Sequence, residues 1–368
     1  MVAGLIAFSL YLFFFVGVDE LLYALVTVNT LDYVLFFSLA VVCMLFAFLF
    51  WTAAWRSVLR TLSVNLGMRR ALAIFFVGYF LDLIVPSETI GSEVTRLYLV
   101  RKETNADLGA IAASAITNRV VEYSIVAVGL FGSVMVLLSS SMVPSLVSGF
   151  LSLLLIGVII YLAILLFLVL NERAAQIIVS IWLRLLRFLR VKKYSSPDAA
   201  ENSKVSLAIF YQGFQTFRRN PKQLMKPFVF QLLSLLSNLA VYVLVFKALS
   251  LDGPNLEFFV LIFFISSAIQ GATASLSVGS LDIILVNVFI LYGISAADSG
   301  LAVIALRAAT YWFPLLLSYA VIQAYGVQNI LSGRSRENVS SVSTPDKDGR
   351  TSSLEQNALP QTAVRVKA

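Results

Sequence analysis

Apolar runs set the layout of this chain. Six stretches, at about 1–17, 31–55, 108–138, 147–170, 227–249 and 300–327, carry almost no charge. A bilayer core of about 30 Å is crossed by about 20 apolar residues in helical form. The longer runs therefore read as transmembrane helices, and 1–17 as a first span or anchor. Two further regions, about 71–100 and 257–294, are apolar at their ends and broken in the middle. Between the two halves lies a polar segment, 171–226. From about 331 the chain reads "LSGRSRENVSSVSTPDKDGRTSSLEQ", a composition that cannot bury a core and is expected to be disordered.

The positions of the cations turn these runs into a topology, because Lys and Arg gather in cytoplasmic loops. Loop 18–30 has Asp19 and Glu20 but no cation and is assigned outside. Arg56, Arg60, Arg69 and Arg70 place the following loop inside, and Arg96, Arg101 and Lys102 ask for the inside as well. Only one broken stretch separates the two basic groups. Residues 71–86 would rise about 24 Å as a helix, short of the core. The simplest arrangement is a re-entrant hairpin that enters from the cytoplasm, breaks at Pro86 and returns; the alternative is a short helix followed by a cytoplasmic loop. Loop 139–146 has no charge and goes outside. Segment 171–226 holds eleven Lys and Arg against three acids and goes inside. Its "IIVSIWLRLLRFLRVKK" puts Arg184, Arg187 and Arg190 at spacing three, as suits a helix in the cytoplasmic interface. Region 257–294 then starts and ends outside, as a second hairpin from the opposite face.

The expected fold is thus an all-α polytopic membrane protein with about six spanning helices and two oppositely oriented re-entrant hairpins. The transmembrane domain would cover 1–330 and the cytoplasmic tail 331–368. Within the domain, 31–138 and 227–327 would form an inverted-topology repeat. Glu93 precedes Arg119 by 26 residues and Asp282 precedes Arg307 by 25, and each arginine has a tyrosine four residues on, Tyr123 and Tyr311. Inverted repeats with broken helices are the build of many secondary transporters.

Composition agrees with the pattern. The 368 residues are 59% hydrophobic and 13% charged, against about 25% charged in soluble domains. Mean hydropathy is +0.89. There is no histidine, and Cys43 is the single cysteine. A disulfide framework and a His/Cys metal site are excluded within one chain, and no cofactor is expected. The net charge of +7 belongs to the inner loops and does not ask for nucleic acid. No phosphate loop, dinucleotide fingerprint or nucleophile elbow is present.

Charges inside spans are costly and mark sites or pathways by default. Arg119 and Arg307 are the leading candidates, since a guanidinium binds phosphate in a fork and stays charged. An ion pair is the other reading: Glu122, Glu93 or Glu88 for Arg119, and Asp282 for Arg307. Asp82 sits at membrane depth, either as a proton carrier or as a buried structural carboxyl. Gly91 and Gly279, with Pro86, are expected to break the backbone.

"VPSETIGSEVTRLYLVRK" resembles the signature of the lysylphosphatidylglycerol synthase transmembrane family, also called flippase-like, close to Pro-Ser-x-x-x-Gly-Gly-Glu-x-x-Arg-Ala-Tyr-Leu. Pro86, Ser87, Gly91, Glu93, Arg96, Tyr98 and Leu99 match; Ser92 and Leu97 depart. The second signature, Pro-Gly-Gly-x-Gly-x-x-Asp/Glu, survives in "SLSVGSLD" only as Gly279 and Asp282, while "LRAATYWFPL" is similar to the closing Arg-x-x-x-Tyr-x-x-Pro. The resemblance covers about 1–330. It implies movement of lipids with large polar headgroups, without the soluble aminoacyl-transfer or glycosyltransferase domain that some members carry. The expected function is translocation of an anionic lipid, such as a phospholipid or a polyprenyl-phosphate-linked glycan, in the plasma membrane. Arg119, Arg307, Glu93, Arg96, Glu122, Asp282, Tyr123 and Tyr311 would line the headgroup site. The alternatives are a membrane-embedded transferase on lipid phosphates, or a scaffold that presents lipid to a separate enzyme.

Overall fold

The computed structural model describes residues 2–84, 90–139, most of 209–251, 255–272, 277–324 and 326, and scattered positions between 149 and 163. Among the described residues the chain is helical and contains no strand. Residues 1–323 form one compact unit; the second, 324–368, lies almost wholly outside the described residues.

The chain begins with α1, Val2–Tyr11, which runs into a π-turn at Leu12–Val16. It breaks at Gly17, φ +86°, before α2, Val18–Thr27. The first apolar stretch is therefore not one straight span, and 18–30 is not a plain loop. Asp19 and Glu20, which suggested one, occupy the first turn of α2, where carboxylates favour a helix N-terminus.

Two sets of four helices follow. The first contains α3, Thr30–Thr61; α4, Met68–Ile84; α5, Ile90–Thr104; and α6, Leu108–Ser139. The second contains α7, Met225–Ala248; α8, Leu256–Ala272; α9, Ser277–Leu291; and α10, Ala296–Arg307, which continues through a π-turn at Ala308–Trp312 to Ala324. Each set is a long helix, one of 17 residues, one of 15 residues and a second long helix. Packing recurs with the lengths. In each set the first helix touches the second and fourth, the second touches the third, and the third touches the fourth.

Capping fixes several ends. Asn29 accepts a hydrogen bond from Leu31 N at 3.1 Å to start α3, and Ser295 accepts one from Asp298 N at 3.1 Å to start α10. At the far end of α3, Arg56 Nε donates to Leu66 O at 2.8 Å and pins the turn that leads to α4.

The most extensive packing is between α3 and α7. Ala40, Ala47 and Ala54 recur every seven residues on α3, and Ser234, Val241 and Ala248 do so on α7. Small side chains let backbones approach, and Ser234 Oγ reaches Ala47 O at 2.9 Å. An aromatic cluster, Phe48 with Phe75, Phe76 and Tyr79, joins α3 to α4.

Among the described residues, four helices are long and apolar enough to cross a membrane: Thr30–Thr61, Leu108–Val136, Pro221–Ala248 and Ala296–Ala324. Within the protein, only 22% of the most apolar window of α3 is buried, and 22% of that of α6. Leu31, Val34, Leu35, Leu39, Val42, Leu45 and Phe46 of α3 are all exposed. So much apolar surface left uncovered by protein calls for lipid as the solvent. This is a multi-pass membrane protein. The 17- and 15-residue helices would rise only about 25 and 22 Å, below the core thickness.

Several expectations fall outside the described residues: the break at Pro86, Glu88, loop 139–146 beyond Ser139, most of the 147–170 stretch, Arg184, Arg187 and Arg190, and the tail. Gly91 is described, and it is the second residue of α5. The chain does not turn at that position, because the helix has already begun at Ile90. Gly279 does carry an unusual backbone, φ +90° at the start of α9, a region that glycine enters without steric cost.

Candidate functional site

The charges of α4, α5 and α6 converge on α3. Asp82 lies in the last turn of α4, Glu93 and Arg96 in the first two turns of α5, and Arg119 and Glu122 midway along α6. Arg96 is 1% exposed. Its Nη1 donates to Glu93 Oε1 at 2.8 Å and its Nη2 to Asp82 Oδ2 at 3.1 Å. Arg119 donates from Nη2 and Nε to the same Glu93 oxygen, at 2.6 and 2.9 Å, and from Nη1 to Glu122 Oε2 at 3.1 Å. One carboxylate oxygen thus receives both guanidinium groups. Tyr123 stands close to Arg119.

Trp51 of α3 ties the cluster together. Its Nε1 donates to Glu122 Oε2 at 3.0 Å, and the guanidinium carbons of Arg96 and Arg119 lie 5.3 and 5.4 Å from its ring centre. Phe75 of α4 offers a second ring to Arg96, at 5.7 Å. Cations over aromatic faces gain more when water is excluded. Room for Arg96 comes from Gly78, one turn before Asp82 on α4. A Cβ there would collide with the Arg96 side chain.

The second set has its own pair. Arg307 Nε donates to Asp282 Oδ1, and Asp282 is 1% exposed. The other oxygen of Asp282 accepts from Gly279 N at 2.9 Å, so the positive φ of Gly279 aims a backbone donor at the carboxylate. The sets meet where Tyr311, in the π-turn after Arg307, donates to Leu83 O at 3.2 Å. Because of that turn, Tyr311 does not sit one regular α-turn above Arg307. Such π-insertions are frequent at functional sites. Tyr79 lies between the two clusters, near Asp82 and Arg96 on one side and Arg307 and Tyr311 on the other.

The structure therefore brings Asp82, Glu93, Arg96, Arg119 and Glu122 into one network and sets the Asp282–Arg307 pair and Tyr311 near it, with Tyr79 between. Each arginine is held by carboxylate, so the ion-pair reading describes the geometry of all three. Among the described residues no group of acids, histidines or cysteines is arranged to hold a metal ion. Sequence reasoning missed Trp51, Phe75, Gly78 and Tyr79. Only Gly78 left a trace, as a small residue one turn from Asp82 on the same helical face.

Gly78→Ala should unseat Arg96, at a cost of about 1–3 kcal/mol for an overpacked site. Gly132→Ala is the control, since a Cβ there meets nothing within 4 Å. Thermal unfolding of the purified variants should show a lowered midpoint for Gly78→Ala alone. Equal midpoints would mean that Arg96 has another seat.

A family model for the lysylphosphatidylglycerol synthase TM region matches residues 1–318. The chain belongs to this family. No curated protein and no solved structure matches it.

Proposed function

We propose that this member of the lysylphosphatidylglycerol synthase transmembrane family moves an anionic or phosphate-bearing lipid between the leaflets of the plasma membrane. The family links the chain to lipid modification or flipping. The observation that carries the finer reading is the two clusters of paired charges held within the helical unit, Asp82–Arg96–Glu93–Arg119–Glu122 and Asp282–Arg307. Such groups are costly in lipid, and line pathways or sites when they occur there. The headgroup would enter between the two helix sets while the acyl chains stay in the bilayer. Arg119 is the inner stop: its side chain is 23% exposed, against 2% for that of Arg96, so it is the guanidinium that a phosphate can reach.

In this reading α4–α5 and α8–α9 are re-entrant hairpins, and the two sets are an inverted repeat with the C-terminus cytoplasmic. The matching lengths and recurring packing of the sets support it, as do the equivalent pairs Glu93–Arg119 and Asp282–Arg307. The topology has a direct check. With Cys43 replaced by serine, single cysteines at Asn65 and Thr104 should both react with an impermeant reagent from the cytoplasmic side. Labelling from opposite faces would remove the first hairpin.

The protein moves lipid and does not modify it, either alone or beside a separate lipid-modifying enzyme. In proteoliposomes, fluorescent phosphatidylglycerol should become accessible to a quencher on the far leaflet and be recovered chemically unchanged. Recovery of an altered headgroup would instead make it a transferase, with Glu93, Glu122 and Asp82 as candidate bases.

A further inference from the structure

We propose that Asp82 and Glu93 form a proton-operated switch on Arg119, so that headgroup binding is coupled to proton uptake. The inference rests on the anionic-lipid reading above and adds its driving force.

Among the described residues of the network, four carboxylates, Asp82, Glu93, Glu122 and Asp282, face three guanidinium groups, Arg96, Arg119 and Arg307. One carboxylate is in excess before any anion arrives. Asp82 is the one held least. It has a single ion pair, to Arg96, and its Oδ1 is buried with no hydrogen-bond partner. Ionised, that oxygen carries charge that no guanidinium meets and only the neighbouring Ser92 hydroxyl offsets, which is a costly arrangement in a water-poor site. The groups facing Asp82 are Ser92, Glu93 and Arg96 on α5, Arg119 and Tyr123 on α6, and Tyr79 on its own helix with Arg307 and Tyr311 beyond.

The shared oxygen of Glu93 converts a proton on Asp82 into a change at Arg119. A proton from water adds to Asp82, and the neutral carboxyl loosens its hold on Arg96 Nη2. Arg96 stays buried and draws Glu93 toward itself. Arg119 then gives up the contacts of Nε and Nη2 and keeps Glu122 at Nη1. The freed edge presents two parallel N–H groups, the fork that fits phosphate. Loss of the proton runs the sequence backwards and expels the headgroup. By linkage, affinity for the headgroup rises as pH falls through the titration of Asp82, and binding takes up a proton in return.

The probe is dihexanoyl-phosphatidylglycerol, titrated into the full-length protein in uncharged detergent by calorimetry, in buffers of different ionisation enthalpy. Wild type should take up about one proton per lipid and gain up to about tenfold in affinity per pH unit lowered. Asp82→Asn should bind as tightly at high pH as wild type does at low pH, with no proton taken up. Asp82→Glu should restore the uptake. If wild type binds without proton uptake, or Asp82→Asn keeps the wild-type slope, the switch is wrong and the lipid reading stands. If wild type binds at no pH, both are overturned. Should Asp82→Asn fail to fold, the wild-type proton count decides alone.

Discussion

Arg96→Leu is expected to destabilise the protein by about 3–5 kcal/mol, the range for removing one partner of a buried ion pair. The size of the effect follows from what is left behind. Glu93 keeps Arg119, but Asp82 loses its only ion-pair partner and remains on a helix end with one oxygen already lacking a donor. Leucine fills the volume between Trp51, Phe75 and Gly78 and does nothing for that charge. The double variant Arg96→Leu, Asp82→Leu should recover much of the loss, because an apolar pair can replace a buried ionic one. Unfolding in detergent should therefore rank wild type and the double variant together, well above Arg96→Leu. A single variant as stable as wild type would show that Asp82 is neutral in the native protein even without a proton gradient. A double variant as unstable as the single would place the damage in packing around Trp51.

Arg119→Lys should fold and yet lose most transport. Lysine keeps the charge near Glu93 and Glu122, so the network stays nearly balanced. It cannot reproduce the three donors that Arg119 directs at two carboxylates, nor offer phosphate a planar fork. A transition state that loses one charge-assisted hydrogen bond, worth about 1.5–3 kcal/mol, slows by about ten- to hundredfold. Lipid movement in proteoliposomes should fall by that factor, while the unfolding midpoint changes little. Glu93→Gln should also slow it, because an amide oxygen carries no charge to hold both guanidinium groups in place. Wild-type rates in Arg119→Lys and Arg119→Gln together would leave Arg119 as a structural partner of Glu122.

Much of this architecture is legible in the sequence, for physical reasons that also mark where legibility stops. The long spans declare themselves because lipid tolerates no charge and about 20 residues are needed to cross it. The first broken region declares itself by cations on both sides of a stretch too short to span, and the second by the lack of any cation just before or after it. Glu93 and Arg119 stand out because an ionised residue inside an apolar run is rare. Trp51 does not, since a tryptophan in an apolar helix looks the same whether it faces lipid or two arginines. Nor does Gly78 reveal that Arg96 passes over it, because the contact joins α4 to α5 and leaves no periodicity in either. Asp19 and Glu20 misled for the opposite reason: acids suit a loop and a helix N-terminus equally, and here they start α2. Gly91 fits a turn by type, but the helix begins one residue before it.

Transbilayer movement is the measurement that bears most directly on the central claim. Proteoliposomes holding the wild-type protein and a trace of fluorescent phosphatidylglycerol in both leaflets are treated with an impermeant quencher. Without protein, quenching should stop near half, when the outer leaflet is spent. With wild type it should run nearly to completion, faster when the medium is acidic, and Arg119→Gln should return it to the protein-free level. A wild-type trace that stops at half under both pH conditions would contradict the account.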